Sequence, residues 1–148
     1  MRVLGLDFGQ KTIGIAVSDS LGWTAQGVEI IRREEEDNLK ASIERIGELC
    51  REFDAELIVL GYPKNMNNTV GDRAKKSERF KKRLKKELGL PVKLWDERLS
   101  TVAAERDLLE ADVSRINRKK VIDKMAAVFI LQGYLDYVAA GNKGDNNG

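Results

Sequence analysis

The sequence predicts an α/β fold: a mixed five-stranded sheet, a three-strand antiparallel meander plus two parallel strands, with helices on both faces. Three observations lead there. Three apolar segments follow one another near the N-terminus, joined by short turns. Helical periodicity then alternates with short unbroken apolar runs. The 148 residues suit a single domain with a full core.

Arg2 to Phe8 and Thr12 to Ser18 read as strands around a tight turn at Gly9 to Lys11, and Trp23 to Ile31 as a third strand. Leu39, Ile43, Ile46, Cys50 and Phe53 recur at helical spacing, predicting a helix over Asn38 to Phe53 capped by Asp37 or Asn38. The run ELIVLG, Glu56 to Gly61, suits a strand covered on both faces. A basic helix is expected from Asp72 to Leu88, where Gly89 ends it and Pro91 blocks continuation. Val92 to Asp96 completes the sheet. Ser100 or Thr101 caps a helix through Glu110, and the last helix runs from Asn117 to just before Gly141. Residues 1–140 thus form one domain, and the polar tail 141–148 is expected to be disordered. Right-handed crossovers make the fourth strand parallel to the first and the fifth parallel to the fourth.

Composition narrows the chemistry. The chain has no histidine and one cysteine, Cys50, which excludes a disulfide framework, a Cys/His zinc site and histidine acid–base catalysis. Any metal must take oxygen ligands, hence Mg²⁺, Mn²⁺ or Ca²⁺. Ser100 and Thr101 lack a base to activate them and read as caps. The apolar runs are too short to span a bilayer and no secretory leader opens the chain, so the expected compartment is the cytoplasm.

Against this background Asp7 stands out, an acid at the end of an apolar strand. A carboxylate there is costly unless something positive meets it. Ligands gather beyond the carboxyl ends of parallel strands, where Asp7, Asp96 and Glu97 all fall. Asp96 and Glu97 point to opposite faces, so one of the two reaches a shared site. Asp123 shares a helix face with Ala126, Ala127 and Ile130, which carries it toward the core. Each acid has a structural reading: a turn residue, a strand end, a surface ion pair, a helix-start charge. Together, three converging carboxylates need divalent cations, and paired cations of that kind hydrolyse phosphodiesters.

The motifs DFGQKTIG (Asp7 to Gly14), GYPKNMN (Gly61 to Asn67), DERLST (Asp96 to Thr101) and DKMAAVFILQGYLD (Asp123 to Asp136) occur in that order. Over Arg2 to Tyr137 the chain closely resembles the YqgF family of the RNase H-like superfamily. These proteins are described as Holliday-junction-resolvase-like and as nucleases maturing the 5′ end of pre-16S ribosomal RNA. The resemblance implies an RNase H-like fold and a nuclease dependent on Mg²⁺ or Mn²⁺. Matched motif by motif, it puts the catalytic, metal-binding acids on Asp7, Glu97 and Asp123. Lys11 stands where the family more often has Arg, Tyr62 where Leu is usual, and Asn67 and Asn68 where Asp-Gly is frequent. Related resolvases carry a further acid near the end of the fourth strand, where this chain reads GYP.

Net charge is only +2, but nine Lys or Arg and one Glu crowd Arg73 to Lys86, a surface suited to a polyanion. The candidate nucleic-acid-binding residues are Lys11, Lys64, Arg73, Lys75, Lys76, Arg98, Arg118, Lys119 and Lys120. Trp23 and Trp95 are expected in the core. The expected partner is nucleic acid, either precursor rRNA or branched DNA, bound by a monomer or weak homodimer without a membrane. A Holliday junction resolvase and a non-catalytic nucleic-acid-binding protein stand as alternatives. Nucleotide binding of the actin-like kind needs two such domains and a longer chain.

Overall fold

The computed structural model describes residues 2–63, 71–96 and 115–144, with the backbone alone for 115–124 and 142–144. The helix expected over Ser100 to Glu110 lies outside these residues.

Strands β1 (Arg2–Phe8) and β2 (Thr12–Ser18) form a hairpin whose turn is closed by the Gly9 N–H donating to Thr12 O at 2.8 Å. Antiparallel pairing sets Asp7 opposite Gly14 and Phe8 opposite Ile13. The third strand, β3, spans Ala25–Arg32 and pairs antiparallel with β2. It begins two residues later than predicted because Asp19 captures the intervening chain. Its carboxylate accepts from the Trp23 N–H at 2.8 Å and the Thr24 hydroxyl at 2.9 Å, and Gly22 takes φ +73°. Those hydrogen bonds, led by the one from Trp23, hold the Asp19 carboxyl below its usual range. Trp23 is therefore lifted out of the core onto the loop, 73% exposed, contrary to expectation.

Helix α1 spans Lys40–Glu52. Its N-cap is Leu39 rather than Asp37 or Asn38, and no side chain caps it. The Asn38 N–H is already taken up in a turn to Glu35 O, which delays the helix. Strand β4 (Ala55–Tyr62) then runs parallel to β1, with Leu6 opposite Leu60. Helix α2 (Asp72–Leu88) and strand β5 (Val92–Asp96) have the predicted bounds. Gly89 caps α2 with φ +70°, a conformation that other residues adopt only at a cost. β5 lies parallel to β4, with Tyr62 opposite Asp96. The last helix, α3 (Arg115–Gly144), continues beyond Gly141, where its end was expected.

The strand order is β3-β2-β1-β4-β5. Alternation along the strands divides the core in two. Leu4, Leu6, Ile13, Ile15, Ile58 and Leu60 pack on one face against Ile43, Ile46 and Cys50 of α1 and Phe80 and Leu84 of α2. Ala16, Val59 and Trp95 pack on the other face against Ala127, Ile130 and Leu131 of α3. The fully apolar stretch of β4 is explained by these two covers. Among the described residues no helix is long and apolar enough to cross a membrane.

Candidate active site at the carboxyl edge of the sheet

The pleat decides which acids share a face. Leu4 and Leu6 belong to the α1–α2 face, while Val3 packs with the α3 cluster. A Cβ on Gly5 would lie 2.7 Å from Leu131 Cβ and 3.3 Å from Ala127 O, both on α3. Asp7, two residues on, therefore belongs to the α3 face. Its partner on β2 is Gly14. One further step of the Leu6–Leu60 register sets it beside Gly61 on β4, which faces Trp95 on β5. The positions level with Asp7 on the two neighbouring strands are thus both glycine. Trp95 closes the row, buried, against the edge of Tyr134 at a ring separation of 5.9 Å.

Asp96 falls on the other side of the sheet. Trp95 packs with the α3 cluster and Leu94 with the α1–α2 cluster, so Asp96 shares the α1–α2 face. There it adjoins Tyr62, whose hydroxyl donates to Glu78 of α2 at 3.0 Å. Burial, the hydrogen bond to Glu78 and the charges of Glu78 and Asp96 all raise the Tyr62 phenol above its ordinary pKa.

Helix α3 lies antiparallel to β1. Gln132 accepts from the Ala25 N–H at 2.9 Å and donates to Trp23 O at 2.9 Å, near the amino end of β1. Earlier turns of α3 thus run toward the Asp7 end. The backbone of Asp123 lies one turn before Ala127, on that side. Glu97, Arg98 and Lys64 lie outside the described residues, and the side chains of Asp123, Arg118, Lys119 and Lys120 do as well. Among the described residues there is no cluster of three acidic, Cys or His groups that would hold a metal. The donor chemistry available at this edge, carboxylate oxygen without sulfur or imidazole, suits a hard cation of the Mg²⁺ or Mn²⁺ kind.

The cations differ in placement. Lys11 is exposed on the turn after Asp7, and Arg73 and Lys75 are exposed on α2. Lys76 is half-buried and ion-paired with Glu36.

Arg33 escaped the sequence reading. It leaves the end of β3 and reaches back under the turn that follows Asp7. Its Nη2 donates to Gly9 O at 2.8 Å and Gln10 O at 2.6 Å, and its Nε donates to Glu36 O at 2.9 Å. The guanidinium lies 5.1 Å from the centre of the Phe8 ring. Partial burial lowers its pKa, a shift opposed by Glu36 and Asp37. Nothing in the local sequence separates it from its neighbour Arg32; only the closure of the β2–β3 hairpin brings it to the turn.

With this geometry in place, comparison with known proteins is decisive. The profile of a family described as "RuvX: Holliday junction resolvase" matches residues 1–137. The chain belongs to the RuvX family. The resemblance to YqgF proteins carried by the four motifs is resemblance to this same family. A protein of Desulfitobacterium hafniense (strain DSM 10664 / DCB-2) is 59% identical over 142 residues, covering 96% of each chain. One of Geobacillus sp. (strain WCH70) is 62% identical over 136 residues, 92% of this chain and 98% of its own. Both bear the name "Putative pre-16S rRNA nuclease". Among solved structures, Thermus thermophilus RuvC in complex with Holliday junction substrate superposes with TM-score 0.61 at 16% identity, covering 95% of this chain and 96% of that one. The fowlpox virus Holliday junction resolvase gives 0.52 at 18% identity, covering 93% and 99%. At that identity the likeness is one of fold: the RNase H-like architecture predicted from the sequence is the one observed. RuvX proteins are nucleases, so this chain is an enzyme of the class that hydrolyses phosphodiester bonds.

Proposed function

We propose that this RuvX-family chain is a metal-dependent nuclease that processes the 5′ end of pre-16S ribosomal RNA during ribosome biogenesis in the cytoplasm. The observation that carries the reading is Asp7. It is an acid on the α3 face at the carboxyl end of the central strand, paired with Gly14 of β2, and the backbone of α3 runs toward that end through the turn that holds Asp123. Relatives at 59% and 62% identity, named for pre-16S rRNA, support the substrate.

Asp7, Glu97 and Asp123 would hold Mg²⁺ or Mn²⁺. When bound, the cation supplies Lewis-acid stabilisation of the charge that develops on the phosphodiester. The protein's own share is placement. The Asp7 backbone is held in the β1–β2 ladder, one residue past the last β1–β4 pair, which limits the reorganisation needed to present its side chain. Lys11, on the turn that Arg33 secures, draws a substrate phosphate toward the edge, as a point charge without bidentate geometry. Lys64, Arg73, Lys75, Lys76, Arg98, Arg118, Lys119 and Lys120 extend the positive surface on which backbone phosphates are held without sequence choice. Asp96, on the opposite face, is outside the set.

The test is Asp7→Asn on a precursor rRNA substrate with Mn²⁺. Cleavage should disappear while the thermal transition and circular dichroism stay as in the wild type. Undiminished cleavage would remove Asp7 from the chemistry. A second reading, resolution of branched DNA, is supported by the family description and the RuvC-like fold. Parallel assays on a four-way junction separate the two. Resolution requires paired sites in a dimer, so a strictly monomeric protein with rRNA cleavage decides for the first.

A further inference from the structure

Phe8 follows Asp7 directly, and the pleat turns it to the other side of the sheet. There it stacks on Phe80 of α2, with ring centres 4.2 Å apart and planes 11° from parallel. Above this pair opens a cavity of about 550 Å³, bounded by α2, the Gly9–Gln10 turn and the connection from β3 to α1. Arg73 and Lys76, already placed among the phosphate-holding cations, line it, but its acidic and apolar lining has no role in that surface.

Its walls have opposite character. Arg73, Lys76, Arg79 and Arg83 recur every three or four residues and form one stripe of α2 along the cavity. Lys76 is committed to Glu36, Arg83 to Glu87 at 2.9 Å, and Arg73 reaches Phe8 O at 3.4 Å. Arg79 has no hydrogen-bond or ion-pair partner among the described residues. The facing wall carries Glu36 and Asp37, with Asp72 at the start of α2, and the floor is Phe8, Leu39 and Phe80.

A cavity that was cationic throughout would accept any polyanion. This one does not: a phosphate is accepted on the α2 wall and repelled from the loop wall. An uncharged planar group fits the apolar floor, and a carboxylate such as that of Asp37 accepts hydrogen bonds from a base's exocyclic amino group. The volume falls within the roughly 300–1,000 Å³ of small-molecule sites. That is room for a single nucleotide.

We propose that this cavity is a nucleotide subsite, which takes one unpaired nucleotide of the substrate strand with its phosphate on Arg79 and Arg73 and its base against Leu39 and the edge of the Phe8 ring. The proposal rests on the nuclease reading, because it supplies the strand. Gly9 and Gln10 of the turn that follows Phe8 line the cavity, so a strand crossing that turn from the Asp7 face would reach it.

The experiment is fluorescence anisotropy with the full chain in EDTA, using a short single-stranded oligoribonucleotide, a blunt duplex and a nucleoside monophosphate as competitor. Arg79→Gln should weaken the single strand about five- to tenfold and flatten the slope of log K against log salt by roughly 0.7, one lost phosphate contact. Affinity for the blunt duplex should not change. Lys82→Gln and Lys85→Gln, on α2 but outside the cavity, should have clearly smaller effects; effects equal to that of Arg79→Gln would reduce the site to general surface charge and overturn it. So would wild-type affinity in Arg79→Gln, or a monophosphate competing as well as the strand. Asp37→Asn should bring the ratio of oligocytidylate to oligouridylate affinity toward one; an unchanged ratio would overturn the placement of the base. Cleavage by the Asp7 variant is read separately, so failure of the nuclease reading and failure of the subsite give different results.

Discussion

Arg33 Nη2 donates to the Gly9 carbonyl at 2.8 Å, joining the end of β3 to the turn that follows Asp7. The same nitrogen also reaches Gln10 O, and Arg33 N–H donates to Lys11 O at 2.9 Å. Three successive turn carbonyls are therefore satisfied by one residue 22–24 positions along the chain. Hydrogen bonds from a charged donor are worth about 1.5–3 kcal/mol each, less where water competes. Arg33→Ala should lower the unfolding free energy by roughly 2–3 kcal/mol in urea titrations. Arg33→Lys, which lacks the planar fork, should recover only part of it. Equal stability of all three proteins would show that the turn holds itself.

Gly5 is a point of close approach between β1 and α3. With a methyl group 2.7 Å from Leu131 Cβ, Gly5→Ala must push the helix away from the sheet. Overpacking of this kind costs about 1–3 kcal/mol. Leu131→Ala should not rescue it, because the obstructing atom is the Cβ that alanine keeps. Thermal unfolding of the two single variants and the double variant checks this. Rescue by Leu131→Ala would mean that the longer side chain, not the backbone approach, sets the spacing.

Cys50 is 6% exposed on the buried stripe of α1, and burial pushes its thiol up to about 11. It should resist thiol reagents in the folded protein at pH 8 and react on unfolding. The linkage has a definite sign. The folded thiol holds its proton more tightly than the unfolded one, so its contribution is full below the unfolded value of 9.0 and is lost as pH rises toward 11. Cys50→Ala should flatten the fall in stability over that window, measured as the difference between the two proteins' pH profiles.

Glu29 on β3 meets Arg45 on α1 through two parallel hydrogen bonds, 2.7 and 3.0 Å. The hydrogen bond to Arg45, and secondarily its charge, hold the Glu29 carboxyl below its usual value. This contribution is present above pH 4.5 and is lost as pH falls through the depressed folded value. Both side chains are partly exposed, so Glu29→Gln should cost only about 0.5–1 kcal/mol at neutral pH and nothing in strong acid. A cost that persists at low pH would assign the effect to packing.

The elements most legible in the sequence were those fixed by local chemistry. Strand β1 and helix α2 have the bounds expected from apolar runs, periodicity and Gly89, since backbone preferences of that kind act over a few residues. The parallel course of β4 with β1 and of β5 with β4 was expected from right-handed crossovers, and Asp7 announced itself as an acid in an apolar strand. Trp23 and the start of α1 were misplaced, each because a hydrogen bond a few residues away redirected the chain: Asp19 to the Trp23 N–H, Asn38 N–H to Glu35 O.

What the sequence determined by itself is the kind of chemistry: carboxylates without histidine, a cationic helix, and an alternating fold that brings strand ends to one edge. Tertiary structure alone decided which residues meet. The pleat put Asp7 and Asp96 on opposite faces, register set Gly14 opposite Asp7, and Arg33 crossed from β3 to hold the turn beside it. Face and register depend on pairings between segments far apart in the chain, and no local preference encodes them.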